Sequence, residues 1–150
     1  MRAARAAGRD EGSVLLLTLA FAVVAMLLVV VVADVSALYL TRRSLAGSAD
    51  GAALAAVQEL DREALYTGTS GESLPLDPEQ ALDAVRVYVS AAQLDERYTD
   101  FRLVEVQTDA DSVTVTLRAT RRLPFLGTFL SAPDGVVVES SATARAPFVD

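Results

Sequence analysis

Residues 13–60 read SVLLLTLAFAVVAMLLVVVVADVSALYLTRRSLAGSADGAALAAVQEL, and the fold turns on how this stretch is read. Its first part, 13–33, is almost entirely Leu, Val, Ala and Phe, and no charged residue occurs in 12–33. Wound as a helix, those 21 residues extend about 32 Å at about 1.5 Å per residue, matching a hydrocarbon core of about 30 Å. The expectation is a transmembrane helix over 13–33. Two other readings compete. A buried core helix needs more surrounding protein than the rest of the chain supplies, because it is apolar on every side. A cleaved export signal fits the basic N-terminus and Val31-Val32-Ala33, but such signals carry only about 7 to 15 apolar residues.

The second part keeps a helical period. Leu45, Ala49, Ala52, Ala53, Ala56 and Leu60 fall on one side, whereas Arg42, Asp50 and Asp61 lie elsewhere. The spacing predicts that the helix continues to about Leu65. Gly47 and Gly51 each cost about 1 kcal/mol relative to Ala inside a helix, and close approach of another helix is the natural reason for them. The small side chains are therefore candidate packing residues, against a second helix of the same protein or a neighbouring subunit. Asp34, at the end of the apolar run, has two readings: a hydrated marker of the outer interface, or a carboxylate pairing with a basic group on a neighbouring subunit.

Orientation rests on charge. Arg2, Arg5 and Arg9 precede the span and Arg42 and Arg43 follow it, a thin positive-inside margin. Residues 34–150 carry 10 arginines against 18 acids, a net charge of −8. We expect a single-pass cell-membrane protein with residues 1–12 in the cytoplasm and the acidic remainder outside. Acidity argues against nucleic acid as a partner, since phosphate binding needs clustered Lys or Arg. With no cysteine, an exported domain must hold together by packing or by partners.

Residues 66–77, rich in Gly, Ser, Thr and Pro, read as a linker before an extracytoplasmic α+β domain over 78–150. Asp77, Pro78 and Gln80 form a capping-box pattern, and Leu82, Val85, Val89 and Ala92 recur at helical steps, so a second, amphipathic helix runs to about Glu96. The period then becomes two. Val113, Val115, Leu117 and Ala119 alternate with Thr114, Thr116 and Arg118, and with "DADS" (109–112) as the turn, residues 101–122 form an antiparallel hairpin. A third strand places Val136, Val138, Ser140, Ala142 and Ala144 on one side. Between the strands, "LPFLGTFLSAPDG" concentrates Phe125, Leu126, Phe129 and Leu130. The preferred reading is a cap on the core. The other is an exposed contact for a partner or the membrane surface, with Phe125, Leu126 and Phe129 as the contact residues. The fold class expected is thus α+β: a membrane helix extended outward, a second helix, and an antiparallel sheet of about three strands.

Chemistry finds little to stand on. Without His or Cys the common nucleophilic triads are unavailable, and no GxSxG, GxxxxGK[ST] or GxGxxG motif occurs. The acid pairs Asp61/Glu63, Asp95/Glu96 and Asp109/Asp111 read as a solvated helix surface, a helix end and a hairpin turn. No enzymatic activity, cofactor or metal is expected, and the sequence speaks for a structural or assembly component.

One resemblance sharpens this. Gly12-Ser13, the apolar helix and then "VVADVSALYLTRRSLAGSADGAALAA" are similar to the N-terminal segment of Tad (tight adherence, Flp pilus) assembly proteins of the TadE/TadG-like group. There a membrane helix leads into an Asp, a Tyr-containing turn, one or more Arg, and a Leu-Gln-x-Ala-Ala-Asp-Ala-Ala-Ala-Leu-Ala run. Asp34, Tyr39, Arg42, Arg43, Leu45, Ala49, Asp50, Ala52, Ala53, Leu54 and Ala55 fall on that pattern. Ala46, Ser48 and Gly51 depart from it, standing where the family has Gln, Ala and Ala. The resemblance implies a pseudopilin-like or minor-pilin-like structural component of a pilus assembly and secretion system, with the membrane, other pilus-assembly or pilin subunits and further copies of itself as partners. Its implied packing and assembly residues are Asp34, Tyr39, Leu45, Ala49, Asp50, Ala52, Ala53 and Ala56. Type IV prepilins carry Glu at the fifth position after the cleaved Gly, which counted from Gly12 is Leu17, so the pattern departs from prepilin processing. A reading from another class is an anchored binding module that recognises a cell-envelope ligand through "PFLGTFL".

Overall fold

The computed structural model describes residues 7–67, 77–109, 111–123, 125, 127 and 134–145. One helix, α1 (Ala7–Thr67), runs without a break from the apolar stretch through the small-residue stretch. It is followed by α2 (Pro78–Ala91), a single turn α3 (Leu94–Arg97), and strands β1 (Thr99–Thr108), β2 (Ser112–Arg121) and β3 (Val136–Arg145). The strands form an antiparallel sheet in the order β1-β2-β3. The architecture is α+β, as the alternation of periods predicts.

α1 has two environments. Over its apolar part the chain buries none of the helix, so Leu, Val and Phe side chains point outward all round, as a lipid-facing helix requires. From Asp34 onward one face is covered: Leu45, Ala49, Ala52, Ala53, Ala56 and Val57 are buried against β2, β3 and α2. The sheet supplies the facing layer. Val113, Val115, Leu117 and Ala119 of β2, with Val138 and Ala142 of β3, turn inward, as the alternation in both strands predicts. The other face of the sheet is polar. Thr114 pairs with Thr143 at 2.8 Å, Thr116 with Ser141 at 3.1 Å, and Arg118 with Glu139 at 2.7 Å. An antiparallel sheet with one dry and one wet face gives this pattern.

The alanines answer why the helix carries so little bulk where the apolar run ends. A helix crossing a sheet and a second helix at once can do so closely only where its side chains are short, and the cover comes from the same chain. Gly51 shows how close the approach is. A Cβ there would overlap the Tyr88 hydroxyl of α2 and lie 2.8 Å from its Cζ. Gly47, by contrast, is exposed with nothing near it, so helix approach explains one of the two glycines and not the other.

α2 is capped by Asp77, whose Oδ1 accepts the Glu79 N–H at 2.9 Å, with Pro78 in the first turn. It ends earlier than its periodicity predicts. Gln93 takes a left-handed conformation (φ 50°), and the chain restarts as α3 at a new angle that buries Leu94 and then Tyr98. No Gly or Pro marks this break. In β1 the mixed pattern of Phe101, Leu103 and Val106 has a physical cause. Two register shifts against β2, one at Asp100 (φ 50°) and one at Val104, each insert an extra residue and flip the phase of the alternation. Gly135 (φ 101°) opens β3, where a Cβ would approach the Arg121 carbonyl oxygen at 2.7 Å.

Candidate functional site

Asp34 ends the bare part of the helix and begins the packed part. It shares the face of Leu45, Ala52 and Ala56 and is only 2% exposed. Its Oδ2 accepts the backbone N–H of Phe125 at 3.3 Å, so the connection after β2 folds back onto the helix where the apolar run stops. The hydrated reading of Asp34 is therefore corrected: a contact 91 residues away in sequence shelters it. The preferred reading of Phe125 is corrected too. Leu123 and Gly127 are buried beside it, but the Phe125 side chain is 52% exposed and does not cap the core. Leu126 and Phe129 lie outside the described residues.

The predicted assembly residues divide into two sets. Leu45, Ala49, Ala52, Ala53 and Ala56 are fully buried inside the chain, so their packing partners are its own strands and α2. Tyr39 (63% exposed), Asp50 and Leu54 (51% exposed) point away from the domain. With Val35, Arg43 and Gly47 they recur at three- and four-residue steps, forming an outward stripe continuous with the exposed apolar surface of residues 13–33. Apolar ends, one cation and one anion make this stripe suited to lateral helix packing.

Sequence reasoning missed a polar cluster behind it. The Tyr98 hydroxyl lies 2.7 Å from Ser44 Oγ and 3.3 Å from Ser48 Oγ, and Ser48 also donates to the Ser44 carbonyl oxygen. Ser48 stands where the resembling pattern has Ala, and its hydroxyl serves the ring that the α3 turn delivers. The signal was present in the small polar pair, but its partner is 50 residues downstream. Among the described residues no three acidic side chains converge as metal ligands. Asp95, Glu96 and Asp109 are exposed and Asp111 is half-buried, each where its helix end or turn puts it.

The geometry defines a class: an α+β protein whose longest helix is long and apolar enough to cross a membrane and, without interruption, forms one wall of its folded domain. Residues 12–59 match the family model of Flp pilus-assembly TadE/G-like proteins, Tad, a likeness that covers about a third of the chain. That segment contains the apolar helix, Asp34, the buried alanines and the outward stripe. No curated protein and no solved structure matches the chain.

Proposed function

We propose that this protein is a non-enzymatic structural component, minor-pilin-like or pseudopilin-like, of a Tad/Flp-type pilus assembly and secretion system. It is anchored by α1 with its N-terminus in the cytoplasm and the α+β domain outside, and it works by helix packing rather than by chemistry. The observation that carries this reading is the division of the TadE/G-like segment into a face the chain buries itself and the stripe Tyr39–Arg43–Gly47–Asp50–Leu54 that it leaves open. Small and apolar groups on an uncovered helix face, continuous with a membrane span, suit a neighbouring helix of a second copy or another pilus subunit.

The test is complementation of a strain lacking the protein, scored by Flp fibres on cells and by the level of folded protein in membranes. Leu54→Arg combined with Tyr39→Asp is expected to abolish fibres while leaving the protein level unchanged, because neither side chain enters the core. Full fibre assembly by that variant would sink the proposal.

A further inference from the structure

At the end of the domain nearest the apolar run, β2 delivers Arg121 and Arg122 and the α3 turn delivers Arg97. Together with Ala37, Leu40 and Thr41 of α1 they line a cleft of about 390 Å³. Among its described lining residues there is no acid, although the domain as a whole is strongly acidic; Asp95, Glu96, Asp100 and Asp134 belong to the same end but lie off the cleft. None of the three arginines forms an ion pair among the described residues. Arg97 is steadied by Ser44 Oγ at 3.4 Å and lies 5.8 Å from the Tyr98 ring centroid. Three residues after Arg122 comes Phe125, exposed, with its backbone N–H held on Asp34.

Distances along α1 place this constellation. Asp34 ends the apolar run, so it stands at the edge of the hydrocarbon. Ala37 and Leu40 stand about 5–9 Å further along the helix at about 1.5 Å per residue, which falls within and just beyond a headgroup layer of about 5–8 Å. Phe125, bonded to Asp34, is level with the boundary where aromatic side chains concentrate. Arginine side chains reach several ångströms from their backbone while their stems stay on apolar surface, so Arg97, Arg121 and Arg122 span the level of lipid phosphates.

We infer that this end of the domain is a lipid-docking surface. Phe125 inserts at the hydrocarbon boundary of the leaflet that α1 leaves, and Arg97, Arg121 and Arg122 bind the phosphates of anionic phospholipids. The occupant is the protein's own bilayer, because the surface is continuous with the membrane-crossing helix and the three arginines of its acid-free cleft complement an anionic headgroup. The inference rests on α1 spanning the bilayer but not on the pilus role.

The chain has no tryptophan, so Phe125→Trp in the full-length protein places a single reporter at the surface. Reconstituted in phosphatidylcholine vesicles with and without phosphatidylglycerol, it should emit to the blue. Bromines placed shallow on the acyl chains should quench it by at least half, and bromines placed deep should quench it less. Adding Arg121→Glu and Arg122→Glu should reverse the blue shift and remove its dependence on phosphatidylglycerol. Water-like, unquenched emission overturns the inference, and so does sheltered emission that no bromolipid quenches, which would assign the surface to a protein partner. Val23→Trp, quenched by deep bromines, separates failure of the docking from failure of the span.

Discussion

At Asp34 a carboxylate that follows a long uncharged run becomes a fastener. In hydrocarbon it would be costly, and in water it would hold nothing; buried, it accepts the Phe125 N–H and ties that residue to the helix. Removing the acceptor leaves the Phe125 N–H without its partner, a loss of about 1–3 kcal/mol when such a group is buried. Asp34→Leu should lower the thermal midpoint in detergent and speed exchange of the Phe125 amide. Asp34→Asn, which retains an oxygen acceptor, should do so less. Equal behaviour of the two variants and the parent protein would contradict this role. The acid itself was legible as exceptional from its place in the sequence. Its partner was not, because a backbone amide carries no residue-type signal and lies beyond two strands.

At the scale of elements, α1 does in one piece what two helices usually do. The stripe of alanines sets how closely the sheet and α2 approach it, since a short side chain at each crossing brings backbones together. Ala52→Leu with Ala53→Leu adds bulk at two fully buried positions, and overpacking costs about 1–3 kcal/mol at each such site. The expected result is loss of the folded domain, read as protease sensitivity of residues 78–145. Retained protease resistance with altered association would instead place the alanines at an interface between chains. The helix, the cap at Asp77, the hairpin and the inward faces of β2 and β3 could be read from period and turn chemistry. The break at Gln93 and the register shifts in β1 could not. Gln93 and Asp100 are single residues in left-handed backbone, Val104 is a single inserted residue, and ordinary side chains disguise all three. Periodicity also shows which helix face is buried, but not that the chain itself supplies the cover.

For the whole molecule, the consequence is an unbroken helical link between a stretch long and apolar enough to cross a membrane and the folded domain. No loop separates the apolar stretch from the core: the same helix carries Leu45 and the buried alanines that pack on the sheet. Such a coupling suits a part that transmits position in an assembly. The TadE/G-like match ends at residue 59, just past the last buried alanine of α1.

The measurement that tests this account most directly is photo-crosslinking in native membranes from single positions along α1 and on the sheet. Tyr39, Asp50 and Leu54 should yield adducts with a second copy or with another pilus-assembly protein, while Thr116 and Thr143 on the polar sheet face should yield none. Adducts from the sheet positions with none from α1 would show that the protein meets its partners through a different surface, and that the open stripe of the helix is not where assembly occurs.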